Sequence, residues 1–257
     1  MNKETELKMA KYVMVTGASS GIGYATAKEF AKHGYNIIVL ARRTEKLEEL
    51  KKEISEINPN ADVVIVSSDL SKDGEAERVY NLVRNYDIET WINNAGLGNG
   101  GDLRNAEVGH NTRMLRVNVE ALGLFSAMFV ADNYDKDGSQ LINISSIGGY
   151  INVPGCAFYC ATKFFVSTLT EQIWDDMIRG GYKLRAKVMA PKTTETEFEQ
   201  ACHESDTAFD YSARGGKYNT AEEMAEFIWQ LHEGDKPVGE IDENMKLKLS
   251  DRKIPHI

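Results

Sequence analysis

Thr16-Gly17-Ala18-Ser19-Ser20-Gly21-Ile22-Gly23 decides how this chain reads. It follows an apolar strand-like run, Tyr12 to Val15, and opens an amphipathic helix-like run, Ile22 to His33. A strand, a glycine-rich turn and a helix N-terminus make an anion site, because backbone N–H groups and the helix dipole face one point. Gly17 suits the tight turn, Gly21 lets the backbone approach a pyrophosphate, and Gly23 permits close helix–strand packing. Ser19, Ser20 and Ile22 complete the cradle. The spacing is T-G-x-x-x-G-x-G, not G-x-G-x-x-G, and an ordinary βα turn holding three glycines is the plain alternative.

Working outward, strand and helix patterns alternate. Asn36–Leu40 (NIIVL) is a continuous apolar run, as a parallel strand buried on both faces requires. Thr44 starts a helix with Leu47, Leu50, Ile54 and Ile57 at helical spacing, stopped by Pro59. Asp62–Val66 is a third strand, Ser71–Tyr86 a helix, and Thr90–Ile92 a short strand running into Asn93-Asn94-Ala95-Gly96. A long helix covers roughly Asn111–Tyr134, Gln140–Ile144 is the fifth strand, and Ala157–Ile178 is another long helix. Leu184–Met189 is the sixth strand, Lys192–Tyr218 is polar and irregular, and Thr220–Leu231 is a helix with a Thr220/Glu223 capping box. Lys246–Leu249 reads as a seventh strand or a surface hairpin. Repeated βα units predict a Rossmann-type α/β fold, a doubly wound parallel sheet in a three-layer αβα arrangement. Residues 1–257 read as a single domain with a substrate loop at about 192–218. In such sheets ligands bind beyond the carboxyl ends of the strands, and the polar motifs here follow strand ends.

Composition sets the outer limits. With 30 Lys plus Arg against 39 Asp plus Glu, the net charge is −9, which argues against a nucleic-acid partner. MNKETELKMA has no apolar core and does not read as a secretory signal. No uninterrupted apolar run reaches membrane-spanning length, so no membrane partner is expected. Cys156, Cys160 and Cys202 lack metal-ligand spacing and read as free thiols in a reducing cytoplasm. No metal is expected.

The ordered set TGASSGIG, Asp69-Leu70, NNAG at Asn93–Gly96, Asn118, Ser145-Ser146, Tyr159-Cys-Ala-Thr-Lys163, and Pro191 with Thr196 resembles the short-chain dehydrogenase/reductase family over most of the chain. The resemblance implies an NADP(H)-dependent oxidoreductase that interconverts a ketone or aldehyde and an alcohol by metal-free hydride transfer. A catalytically silent NADPH-binding sensor of the same fold is the alternative. The residues themselves agree. Tyr159 and Lys163 share a helix face. A phenol near pKa 10 is a poor base at neutrality, and an adjacent ammonium favours its ionised form. Tyr159 is therefore the general acid/base. In the family the serine lies thirteen positions before the tyrosine, which selects Ser146 over Ser145. The resemblance implies that Asn118 holds a water near Lys163 in a proton relay.

The cofactor reading rests on Ala41-Arg42-Arg43. No Asp or Glu occurs from Asn36 to Thr44 to accept a ribose 2′-hydroxyl, whereas arginine accommodates a 2′-phosphate. NADP(H) is favoured over NAD(H), with Arg42 as the main contact and Arg43 stacking on adenine. The resemblance further places Asp69 at the adenine amino group and Leu70 beside the ring. It puts Asn94, Ala95 and Gly96 near the nicotinamide ribose, and Pro191, Thr194 and Thr196 near the carboxamide and pyrophosphate. Lys192 stands where the family usually has glycine, which leaves the local turn geometry open. Pocket walls are expected from Tyr150, Val153, Phe158, Phe198 and Phe209. Glu195, Glu197, Glu199, Glu204 and Asp206 disfavour anionic substrates. A homo-oligomer, dimer or tetramer, is implied through the two long helices. Their Phe125, Met128, Phe129, Phe164, Phe165 and Trp174 exceed one buried stripe.

Overall fold

A computed structural model describes residues 11–101, 103–198 and 217–255. Phe209, Cys202, Glu199, Glu204 and Asp206 lie outside the described residues. Strands β1 (Tyr12–Thr16), β2 (Asn36–Ala41), β3 (Val63–Ser67), β4 (Ile88–Asn93), β5 (Gln140–Ile144), β6 (Arg185–Ala190) and β9 (Val238–Ile241) run parallel. The antiparallel strand β10 (Leu247–Ser250) closes one edge, giving the order β10-β9-β6-β5-β4-β1-β2-β3. The chain leaves β1 in one direction to β2 and β3, then returns to its other side with β4. The switch point therefore lies where Thr16 and Asn93 end neighbouring strands. A two-residue parallel pair, β7 (Thr194–Glu195) with β8 (Asn219–Thr220), stands apart from the main sheet.

The pleat sorts side chains between two helical layers. Val13 and Val15 face the side of α1 (Gly21–Lys32), α2 (Thr44–Ile57) and α7 (Ala221–Glu233). Met14 and Trp91 face α3 (Glu75–Val83), α5 (Leu122–Asn133) and α6 (Ala157–Arg179). Trp91 is fully buried among Tyr80, Phe125 and Phe129 at centroid distances of 5.4, 5.0 and 5.8 Å. Removing such a ring costs about 3–5 kcal/mol. Phe125 and Phe129 therefore serve the core rather than an outer face, while Phe165 stays exposed.

Several elements depart from expectation. Helix α3 starts at Glu75, not Ser71, because Asp69 accepts bonds from the Ser71 backbone and hydroxyl and holds a turn that ends at Gly74 in the left-handed region. The seventh parallel strand is Val238–Ile241, and Leu247–Ser250 pairs back on it, so the tail is both strand and hairpin. The helix Val108–Asn133 is continuous, with α4 (Val108–Leu115) joined to α5 through a π-helical turn, Arg116–Ala121. By length and composition it could cross a membrane, contrary to the expectation from apolar runs, but Val117, Ala121, Phe125 and Phe129 pack it against the sheet.

Candidate functional site

The glycine-rich turn is built by close approach. Gly17 has φ of +69°, and a Cβ there would lie 2.8 Å from the Ala95 Cα. A Cβ on Gly23 would fall 2.3 Å from Asn94 Nδ2 and 2.5 Å from the Gly17 carbonyl. That space is filled by a clasp between β1 and β4. Thr16 Oγ1 accepts the Asn94 and Ala95 N–H groups at 3.0 and 2.9 Å, and Asn94 Nδ2 donates to the Thr16 carbonyl at 2.9 Å. Ser20 stands at the N-cap of α1 without a side-chain capping bond. No N-cap side chain therefore occupies the first-turn N–H groups, and Gly21 and Ile22 line the cleft, as an anion site needs.

The serine loop is set from two sides. Ser145 N donates to the Met189 carbonyl at 2.7 Å and Ile147 N to the Pro191 carbonyl at 2.9 Å, which ties the ends of β5 and β6 together. Ser145 Oγ donates to the Lys163 carbonyl at 3.0 Å and meets Ser167 Oγ at 2.8 Å, so it braces α6. Ser146 lines the cleft, where its Oγ accepts the Gly148 N–H at 3.1 Å. Both serines line the cleft, but only Ser145 is tied to α6.

Tyr159 and Lys163 rise from α6 into the same cleft, with Lys163 Nζ 5.8 Å from the Tyr159 ring centre and Phe198 on another side at 5.7 Å. Lys163 is buried, and its Nζ donates to the Ile144 carbonyl at 2.9 Å. Burial pulls its pKa down to about 8, which leaves it predominantly protonated at neutral pH. Asn118, fully buried in the π turn, clamps Leu97 at both ends: Oδ1 accepts the Leu97 N–H at 2.8 Å and Nδ2 donates to its carbonyl at 2.7 Å. A Cβ on the neighbouring Gly96 would lie 3.6 Å from both Asn118 Oδ1 and Lys163 Nζ. The side-chain amide is thus committed to fixing the Gly96 segment beside the lysine.

At the other end, Arg43 rather than Arg42 meets the glycine-rich turn. Its guanidinium reaches Ser20 Oγ at 2.9 Å, Ser19 Oγ at 3.2 Å and Glu197 at 2.8 Å. Arg42 is exposed, with its charge beside Asp69. Burial raises the Asp69 pKa, but the Ser71 hydrogen bonds and the charges of Arg42 and Lys72 bring it below the usual carboxylate value. Thr196 packs over Gly21, its Cγ2 lying 2.9 Å from where a Cβ would stand. Lys192 reaches away to the Asp242 carbonyl at 2.8 Å and has no positive φ, so its replacement of glycine leaves the turn unstrained.

These elements enclose one cleft of about 800 Å³. All the site residues expected from the sequence line it except Gly23 and Asn118, which act from behind. Val153 and Phe198 form part of its wall, but Tyr150 and Phe158 do not. Tyr150 turns its hydroxyl away, to Glu171 at 2.6 Å. Unforeseen was a buried polar chain behind the strand ends. Trp91 Nε1 donates to Asn93 Oδ1 at 2.9 Å, Asn93 Nδ2 to Asn143 Oδ1 at 2.9 Å, and Asn143 Nδ2 to Thr170 Oγ1 at 2.8 Å. Its only sequence signal is asparagine within apolar strands.

The family description that matches residues 11–207 is "short chain dehydrogenase". Relatives include dehydrogenase/reductase SDR family member 11 of Gallus gallus, 29% identical over 76% of this chain and 79% of the relative. An uncharacterized oxidoreductase of Staphylococcus saprophyticus is 30% identical over 78% and 80%. Among solved structures, a short-chain dehydrogenase from Sphingobium yanoikuyae in complex with NADPH superposes with a TM-score of 0.80. It is 24% identical and the match covers 90% of this chain and 87% of that one. A short-chain dehydrogenase/reductase from Burkholderia phymatum in complex with NAD gives 0.74, at 21% identity over 86% and 85%. With its family match spanning most of the sequence and its Rossmann-type sheet, this chain belongs to the short-chain dehydrogenase/reductase family of oxidoreductases.

Proposed function

We propose that the chain is an NADP(H)-dependent oxidoreductase that interconverts a ketone or aldehyde and an alcohol, with Tyr159 as general acid/base. The observation that carries this is the convergence of Ser146, Tyr159 and Lys163 on one cleft. Ser146 Oγ and Tyr159 Cε1 lie 3.5 and 3.8 Å from a single point, the Cβ position of Gly148. When bound, the nicotinamide supplies or accepts the hydride. Ser146 holds the substrate oxygen, and Tyr159 gives its phenolic proton to that oxygen in reduction or takes it in oxidation. The Lys163 ammonium beside the ring favours the phenolate that results. Asn118 keeps the Gly96 segment in place through Leu97.

The glycine-rich turn, the open first turn of α1 and the Arg42/Arg43 pair fit a dinucleotide with a 2′-phosphate. Of the two solved structures compared above, the Sphingobium yanoikuyae protein holds NADPH and the Burkholderia phymatum protein holds NAD, so fold likeness alone does not choose between them. Leu97, Val117, Val153 and Phe198 give the substrate end an apolar wall, suited to an uncharged ketone or secondary alcohol. A homo-oligomer joined through α4–α5 and α6, where Leu115, Phe165 and Ile178 are exposed, belongs to the same reading, as does a reducing cytoplasm. Light scattering at working concentration tests the first of these.

The test of the activity is NADPH consumption over a panel of ketones and aldehydes, with Tyr159→Phe as control. Turnover that disappears in the variant supports the proposal. Tight NADPH binding with no turnover on any carbonyl would favour the silent sensor instead.

A further inference from the structure

We propose that Glu197 is a specificity-determining residue that competes with the 2′-phosphate of NADP(H) for Arg43. This rests on the NADP(H) reading above. Arg43 follows the end of β2, where the adenosine ribose of a bound dinucleotide is recognised in folds of this topology. Its Nε and Nη2 edge is drawn to two segments at once, the glycine-rich turn and the stretch beyond β7. Nε lies 3.3 Å from Ser19 Oγ, and Nη2 lies 2.9 Å from Ser20 Oγ, 3.2 Å from Ser19 Oγ and 2.8 Å from Glu197 Oε2. All four residues line the cleft. A guanidinium with two hydroxyls around it is an anion cradle, and the Glu197 carboxylate, reaching in from beyond β7, is the anion seated there.

The competition follows from counting donors and charge. Nη2 carries two hydrogens, and it already faces three side-chain acceptors. A phosphate that takes this edge bidentately displaces Glu197. A phosphate that does not displace it binds beside a second anion, because the Arg43 hydrogen bond holds Glu197 ionised below the usual carboxylate range. A phosphate monoester carries about −1.5 to −2 charge near neutrality, so either route penalises NADP(H). NAD(H) presents a neutral hydroxyl and meets neither penalty. The Ala41-Arg42-Arg43 sequence alone therefore overstates the preference for NADP(H): Arg43 is neutralised from within, and Arg42 shares its charge with Asp69.

The experiment measures dissociation constants of NADPH and NADH by fluorescence titration for wild type, Glu197→Gln, Arg43→Ala and the double variant. Glu197 and Arg43 are both partly exposed, so the substitutions leave the core intact. Glu197→Gln should tighten NADPH about 2- to 5-fold, the scale of releasing one exposed charge pair, and leave NADH unchanged within error. The gain should vanish in the Arg43→Ala background. Equal tightening of both cofactors, no change in NADPH, or a gain that persists without Arg43 would each overturn the inference while leaving the NADP(H) reading intact. Wild type that binds NADH and not NADPH would overturn the NADP(H) reading itself, and the inference with it.

Discussion

Gly149→Ala probes the seam between the serine loop and helix α6. A Cβ at Gly149 would stand 2.3 Å from Ser145 Oγ, 2.6 Å from the Lys163 carbonyl and 2.6 Å from Ser167 Oγ. One of these is backbone, and the other two are buried hydroxyls bonded to each other. Gly149 has no positive φ, so alanine meets no backbone penalty and the cost is crowding alone. Overpacking costs about 1–3 kcal/mol. Losing the Ser145–Lys163 and Ser145–Ser167 bonds adds about 1 kcal/mol each, for a total of about 3–5 kcal/mol. At roughly 2–4 °C per kcal/mol, the melting temperature should fall by at least about 6 °C. Because Ser146 and Tyr159 flank this seam, kcat should also fall, on the order of 10²-fold for a displacement near 1 Å. The assay is differential scanning fluorimetry beside steady-state turnover. Gly34→Ala is the control, since nothing lies within 4 Å of its Cβ position and its φ of +89° carries conformational strain only, about 1–2 kcal/mol. A Gly149→Ala protein that melts within about 1 °C of wild type would refute the crowding argument.

Other substitutions test other parts. His232 is buried, with Nε2 3.1 Å from Thr90 Oγ1, and burial, followed by the Lys187 charge, lowers its pKa to about 4. The unfolded state then binds more protons between pH 4 and 6.5, so about 3 kcal/mol of stability should be lost as pH falls through that window. Denaturant melts of His232→Gln should show a flatter acid limb. Thr220→Ala removes the capping box in which Oγ1 accepts the Glu223 N–H at 3.1 Å; it should cost about 1 kcal/mol, read as a melting-temperature drop of about 2–4 °C. Glu171→Gln weakens the carboxylate that holds the Tyr150 hydroxyl and the backbone N–H groups of Lys253 and Ile254. It should expose the C-terminal segment to proteolysis while Glu240 and Asp175 retain partial hold through Lys253 and Arg252.

How much of this was legible follows from where each signal lives. Strands β1 and β2 are buried on both faces, and burial of that kind writes itself as unbroken apolar runs. Gly17 and Gly23 could be read because close approach to Asn94 and Ala95 excludes any side chain, while Gly21 lies under Thr196. The strand Val238–Ile241 escaped notice because four residues containing a glycine show no usable period. The π turn around Asn118 changes helical spacing by one residue per turn, which hydrophobic periodicity cannot resolve. Arg42 and Arg43 are neighbours, and which one turns toward Ser19 and Ser20 is settled only by the path from β2 into α2. The Asn93–Asn143 pair depends on the register of β4 with β5, a relation across fifty positions that no local pattern encodes.

On the proposed function, hydride transfer in this cleft depends on Tyr159 as the proton partner. The most direct measurement incubates the protein with a ketone substrate and NADPH deuterated at the transferring carbon, then examines the alcohol by mass spectrometry. Wild type should place one deuterium at the carbinol carbon, and Tyr159→Phe should react at least about 10²-fold more slowly at comparable NADPH affinity. Deuterium-labelled product formed by Tyr159→Phe at the wild-type rate would contradict this dependence.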